Sequence, residues 1–234
     1  MSRNATAAVK AKPADARSAE TKPVVAKSVD PLAKYARLEA FTRTLWGHVY
    51  PEVPTRLHAD IVDRVYRRVK ETFPLPKGAR VLDIGCGQGV ALKHFAADEL
   101  NATGIALGED VEICRKLGYD AVEMDLSFLD FPDQTFDLVW CRHAIEHSFM
   151  PMFVLSEIHR VLKPGGVVYV EVPSPNTASN HESNPNHYSV LGQRMWLQLI
   201  QRSGFVSLSH FDISFPLKIG PDTYMGFTAR RASA

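Results

Sequence analysis

From Asp30 onward apolar residues recur at three- and four-residue spacings: Leu32, Tyr35, Ala36, Leu38, Phe41, Leu45 and Trp46 predict a helix. Pro51 and Pro54 break it, and Thr55 opens a second. There Leu57, Ile61, Val62, Val65, Tyr66, Val69 and Phe73 make a continuous stripe, with Arg64, Arg67, Arg68 and Lys70 on the polar side. Basic residues at that spacing read as a solvated face. Pro74 and Pro76 end this helix, and Lys77-Gly78 turns the chain. Beyond the turn, short apolar runs alternate with helical stretches. Strands are expected at 80–84, 101–106, 120–124, 136–141, 167–172, 205–213 and 223–229, and helices at 88–97, 109–117, 151–162 and 189–203. Strands that are almost wholly apolar and joined by helices belong to a parallel sheet covered on both faces. The last two runs leave no room for a crossover helix and are expected to pair antiparallel at one edge.

Residues 1–30 break this pattern. They contain no aromatic residue, and residues 1–29 carry a net charge of +4, leaving −3 for residues 30–234. A segment with so little to bury cannot offset its ordering entropy, so it reads as a flexible tail. The expected division is a tail over 1–30, a helical lid over 31–76 and a main domain over 77–234. The whole chain is nearly neutral, at +1, which gives it no overall electrostatic reason to seek nucleic acid or anionic lipid. No apolar run is long enough to cross a bilayer, so no membrane association is expected. Three cysteines, Cys86, Cys114 and Cys141, are too few and odd in number for a disulfide framework, which fits a reducing, cytoplasmic setting.

The chemistry begins at Val-Leu-Asp-Ile-Gly-Cys-Gly-Gln-Gly, residues 81–89. An apolar strand runs into a glycine-rich turn and then a helix. Glycines at 85, 87 and 89 let the backbone turn sharply and approach a ligand, and the helix start offers free N–H groups. A dinucleotide fingerprint would need Gly or Ala at position 90, which is Val90. Asp83 would repel a pyrophosphate but suits a cationic amine, and both features disfavour a nicotinamide dehydrogenase.

VLDIGCGQG resembles the first motif of class I S-adenosylmethionine-dependent methyltransferases. The resemblance continues in order through YDAVEMDL, FDLVWCRHAIEHS and EIHRVLKPGG, and more weakly through HYSVLGQRMWLQLIQRSGF, covering about residues 78–229. It implies an α/β, Rossmann-like, seven-stranded and mostly parallel sheet with helices on both faces and an antiparallel last strand. It also implies S-adenosylmethionine as the methyl donor. Asp83, Gly85, Cys86, Gly87 and Gly89 would line its methionine end, with Cys86 given no redox role. Asp125 would accept from the adenine amino group, Leu126 would offer a backbone N–H, and Cys141 and Arg142 would touch the cofactor through their backbone. The family's ribose-binding acid at the end of the second strand is Ala106 here, so Glu109 or Asp110 is expected to reach round instead.

If the residues after the fourth strand form a helical turn, His143, Glu146 and His147 share one face, and His187 in the loop after the fifth strand returns to the same rim. Imidazoles beside a carboxylate suit a general base, drawn from His143, His147 or His187, or a divalent metal on His143, Glu146, His147 and His187. The plant small-RNA 3′-end methyltransferases look similar here, holding a divalent ion through an acid-x-x-Glu-His stretch and a distant histidine. His143 in place of the acid favours a softer ion than magnesium, with iron, manganese and magnesium the candidates. The DNA-amino-methylating motif, Asn/Asp-Pro-Pro-aromatic, is absent from Cys141-Arg142-His143-Ala144.

These readings point to methyl transfer to oxygen of a small-molecule acceptor. The alternatives are a metal-dependent RNA 2′-O-methyltransferase and a non-catalytic cofactor-binding relative. The loop 173–188 is a second expected lid, and Trp46, Tyr50, Tyr188 and Trp196 are the aromatic candidates for the acceptor pocket, with core packing the expected fate of Trp196. His181 is read as a solvated loop residue, and His48, His58, His94, His159 and His210 as ordinary histidines. Oligomeric state does not follow from these residues.

Overall fold

The computed structural model describes residues 30–46 and 53–233. The tail assigned to 1–30, apart from Asp30, lies outside the described residues, as do His48, Tyr50 and Pro51. The chain divides into two units between Thr42 and Arg43. Helix α1 (Pro31–Trp46), whose last turn belongs to the second unit, starts at Asp30, whose carboxylate accepts from the Leu32 N–H. Of its predicted stripe Leu32, Tyr35 and Phe41 are exposed, whereas Leu38, Leu45 and Trp46 are half-buried.

The second unit is a seven-stranded sheet in the order β3-β2-β1-β4-β5-β7-β6. Its strands are β1 (Arg80–Ile84), β2 (Asn101–Ala106), β3 (Asp120–Glu123), β4 (Phe136–Arg142), β5 (Leu162–Pro173), β6 (Phe205–Leu217) and β7 (Gly220–Arg231). The first five pair in parallel, and β7 runs antiparallel to both β5 and β6. Helices α2 (Arg56–Thr72), α3 (Val90–Ala97), α4 (Glu109–Lys116), α5 (Pro151–Val161) and α6 (Gln193–Arg202) complete it. Strand β5 begins at Leu162, five residues before the expected start, because Leu162 already pairs with Phe136 before the ladder shifts register.

Period-two alternation divides the core between the sheet's faces. Leu82, Ile84, Val139, Cys141, Val168 and Val170 join Leu155 and Ile158 of α5 and Trp196 and Ile200 of α6. Val81, Leu138, Trp140, Val167 and Tyr169 join Leu92 and Phe95 of α3 and Ile61, Val62, Val65, Tyr66 and Val69 of α2. The predicted α2 stripe is therefore a wall of this second core, and Thr55 caps the helix by accepting from the His58 N–H. Trp196 is fully buried, the core position expected for it, and takes no part in the acceptor pocket.

Because β1 lies between β2 and β4, chain order reverses at the β1–β4 boundary. In open α/β sheets ligands bind outside the carboxyl ends of the strands at such a point. Asp83 and the glycine loop leave β1 there, and Arg142 and His143 leave β4.

Candidate active site

A cleft of about 100 Å³, open to solvent, lies at that switch point and is lined in part by Asp83, Gly85, Cys86, Gly87, Arg142 and His143. Pro54 and His58, at the start of α2, also border it, a role the sequence reading did not give them. The loop needs its glycines at specific places. A Cβ on Gly85, at φ +72°, would fall 2.5 Å from the Ala144 Cβ, and Gly89 closes the loop in the left-handed region at φ +83°. Asp83 is 2% exposed, and its Oδ2 has no hydrogen-bond partner. Burial, reinforced by Cys114 and opposed by the Arg142 guanidinium, pushes its carboxyl up to about 8. A buried acceptor without a donor is costly, and this one borders an open cleft. It fits a ligand that brings its own cation.

Two strands away, a charged network fills the same face. Glu171 of β5 is fully buried and stands beside Arg142 of β4, with Nε to Oε1 at 2.6 Å. The Arg142 N–H is not aligned for a hydrogen bond, and Nη2 is buried without an acceptor. The Tyr169 hydroxyl donates to the other Glu171 oxygen. Burial raises the Glu171 carboxyl, but Arg142 and His143 outweigh it and hold it down to about 2. An acid in the middle of Val-Val-Tyr-Val-Glu-Val was the sequence signal for this group, and the reading of an apolar strand passed over it.

His143 is not part of a helical turn. It adopts φ 49°, ahead of a single 3-10 turn over Ile145–His147, and its N–H donates to the Glu171 carbonyl. Its ring is spoken for on both sides, with Nδ1 3.3 Å from Glu146 Oε1 and Nε2 3.1 Å from Glu171 Oε1. Burial and Arg142 lower its pKa, but the bonds to Glu146 and Glu171 outweigh them and raise it. An imidazole donating to two carboxylates has no lone pair to offer as a base.

The three groups the fold does gather are Glu146, His147 and His187, whose ligand atoms lie within 4.8 Å of one another. Each histidine is anchored through Nδ1, His147 to the Asn186 carbonyl and His187 to the His181 carbonyl, both at 2.9 Å. That fixes the tautomer with Nε2 as the free acceptor. Glu146 is 1% exposed, and its Oε2 has no partner. His143 is absent from this cluster because its nitrogens are committed elsewhere. His181, expected in solvent, is partly buried and pairs with the buried Asp222 at 3.0 Å; Ser179 donates to the same carboxylate at 2.6 Å. The loop after β5 is thereby tied to β7.

The remaining candidates scatter. Asp125 is occupied twice, its Oδ1 accepting from the Ser127 N–H and its Oδ2 from the Trp46 indole, each at 2.7 Å. Leu126 packs on the core, and Cys141 is fully buried with its side chain in the α5–α6 core, so only its backbone faces the strand end. Glu109 is exposed at the start of α4 and is not among the residues lining the cleft. The Gly108 N–H before it meets Glu123 at 3.4 Å. Tyr188 is 39% exposed.

With this geometry in place, comparison with known proteins is informative. Residues 82–170 match the family described as "Methyltransferase domain". The chain is 33% identical over 181 residues to the ubiquinone biosynthesis O-methyltransferase of Pseudomonas aeruginosa strain UCBPP-PA14, covering 73% of this chain and 72% of that one. It is 32% identical over 149 residues to the 27-O-demethylrifamycin SV methyltransferase of Amycolatopsis mediterranei strain S699, covering 56% of this chain and 55% of the relative. Among solved structures, the [4+2]-cyclase SpnF superposes with a TM-score of 0.64 at 22% identity over 86% of this chain and 95% of that one, a likeness of fold alone. The chain belongs to the class I S-adenosylmethionine-dependent methyltransferases and is an enzyme of that family.

Proposed function

We propose that this methyltransferase transfers a methyl group to a hydroxyl of a small-molecule acceptor, with the hydroxyl activated at Glu146, His147 and His187. What supports the reading is the pair of imidazoles anchored through Nδ1, with free Nε2 atoms, beside a buried carboxylate oxygen that lacks a partner. Both curated relatives are named for O-methylation or for an O-demethylated substrate.

S-adenosylmethionine supplies an electrophilic methyl group on a sulfonium. The chain's part is to bind, orient and take a proton. Asp83 holds the ammonium of the amino-acid end, and the bare glycine backbone lets that end lie against the main chain. Arg142 and His143, both held by the buried Glu171, line the cofactor cleft. His187 Nε2 accepts the acceptor's proton, worth about 10² to 10⁴ in rate. In the alternative, the same Nε2 atoms and the carboxylate of Glu146 would instead hold a borderline divalent ion such as iron or manganese, which would lower the hydroxyl's pKa in place of the histidine base.

The test is methyl transfer from labelled S-adenosylmethionine to a panel of phenols and alcohols, with the product's methyl ether identified by NMR. The parent is assayed as purified, after chelation, and with iron, manganese or magnesium restored. We expect His187→Ala to cut kcat by about a hundredfold or more. If His187→Ala and His147→Ala both turn over like the parent, the cluster has no part in the chemistry.

A further inference from the structure

The glycine loop has a neighbour that cofactor binding does not require. Cys86 lies in the loop between Gly85 and Gly87, and Cys114 lies on α4, beyond β2. Their sulfurs are 4.0 Å apart, and the Cys114 thiol donates to the Gly87 carbonyl at 3.2 Å. Cys86 lines the cleft, whereas Cys114 is fully buried behind it. The packing brings the two together because glycines leave room. A Cβ on Gly104 would fall 2.7 Å from the Cys86 sulfur, and one on Gly89 would fall 3.3 Å from the Cys114 sulfur.

We propose that Cys86 and Cys114 are a modification site: a dithiol in the wall of the cofactor cleft that a two-electron oxidant, hydrogen peroxide or a small disulfide, converts to a disulfide that weakens cofactor binding. With peroxide the atoms balance as follows. The Cys86 thiol gives up its proton, its sulfur attacks one peroxide oxygen, the O–O bond breaks, and one water leaves behind a sulfenic acid. The Cys114 thiol gives up its proton, its sulfur attacks the Cys86 sulfur, the S–O bond breaks, and a second water leaves. Two thiols are oxidised by two electrons, and both peroxide oxygens are reduced to water. The hydrogen bond between the two thiols lowers the Cys114 pKa and, with burial and the nearby Asp83, raises that of Cys86. Cys114 is thereby suited to the second attack, while Cys86 meets the oxidant first because it lines the cleft.

The sulfurs must close from 4.0 Å to about 2.05 Å. The element that must shift is the loop, with left-handed backbone at Gly85, Gly87 and Gly89 and with the Gly85 and Cys86 N–H groups donating to the Ile105 carbonyl. Closure draws Cys86 toward α4 and removes the thiol that donates to the Gly87 carbonyl. Both changes disturb the backbone against which the cofactor's amino-acid end lies. A bound cofactor covers Cys86, so occupancy and oxidation oppose each other.

The full chain is treated with hydrogen peroxide with and without S-adenosylhomocysteine, then digested without reduction for mass spectrometry. Binding of S-adenosylhomocysteine is measured by calorimetry before oxidation, after it, and after dithiothreitol. We expect a Cys86–Cys114 cross-linked peptide two hydrogens lighter than its parts, formed more slowly with the ligand present. Affinity should fall at least tenfold and return on reduction. Cys114→Ser, which keeps a hydroxyl donor for the Gly87 carbonyl, should show the same affinity before and after peroxide. If that variant does not fold, peptide mapping of the parent still decides.

Absence of the linked peptide, or a linked chain that binds as tightly as the reduced one, overturns the proposal. The binding effect rests on the cofactor reading of the cleft. Should the reduced parent bind no S-adenosylhomocysteine, that reading falls, whereas the peptide map judges the dithiol by itself.

Discussion

Replacing Asp83 by Asn tests the electrostatic basis of cofactor binding, because the acid's buried state makes a quantitative demand on pH. With the carboxyl pushed up to about 8 in the free protein, Asp83 is mostly protonated at neutrality. An ammonium placed on its unpartnered Oδ2 favours the carboxylate, so ligand binding expels the proton. At pH 7 the release should be about nine-tenths of a proton. Affinity for S-adenosylhomocysteine should then rise with pH, since each unit below the acid's pKa costs about 1.4 kcal/mol, or tenfold. Asn cannot ionise, so its affinity should be flat. On the plateau it lacks a charge-assisted hydrogen bond worth about 1.5–3 kcal/mol, roughly ten- to two-hundredfold. The gap between the two proteins should therefore widen about ninefold from pH 6 to 7 and about fivefold from pH 7 to 8, levelling off above the acid's pKa. Calorimetry in two buffers of different ionisation enthalpy reads both the affinity and the proton count. A gap between parent and variant that does not change with pH, or binding that takes up protons, would refute the reasoning.

Other substitutions probe separate parts of the molecule. Trp46→Phe removes the indole that occupies one oxygen of Asp125, the carboxylate that the resemblance assigns to adenine, so S-adenosylhomocysteine should bind about three- to tenfold tighter by titration. Gly104→Ala drives a methyl to within 2.9 Å of the Cys86 Cβ between two buried strands. It should lower stability by about 1–3 kcal/mol in urea melts and weaken ligand binding with it. Asp222→Ala frees the His181 tie and the loop that carries His187. It should lower kcat about tenfold or more while leaving S-adenosylhomocysteine affinity intact, with Asp222→Asn recovering part of the rate. Equal losses in kcat and cofactor affinity would assign Asp222 a merely structural role.

The sheet, its order of elements and the glycine loop were legible because each is local. Apolar runs such as Val81–Ile84 declare strands, and Gly85, Gly87 and Gly89 sit where backbone with positive φ occurs. The histidine cluster was legible in membership but not in geometry. The sequence offered three- and four-residue spacings at 143, 146 and 147, but the left-handed backbone at His143 sends its ring to Glu171, twenty-eight residues away. The same limit hid His181 and Asp222, forty-one residues apart and joined only when β7 enters the sheet. Neither the contact of Trp46 with Asp125 nor that of Cys86 with Cys114 has any signature along the chain, since both depend on how elements stack.

The order of the strands also bears on how the protein is made. Strand β7 is the last of the seven to be synthesised, yet it lies between β5 and β6 and bonds to both. Until it emerges from the ribosome, β5 presents an open, apolar edge and β6 has no partner at all. Such an edge is a template for pairing with the wrong chain. A nascent chain stalled before Gly220 should be a client for chaperones, and strand pairing can be completed only after residue 231 has left the exit tunnel.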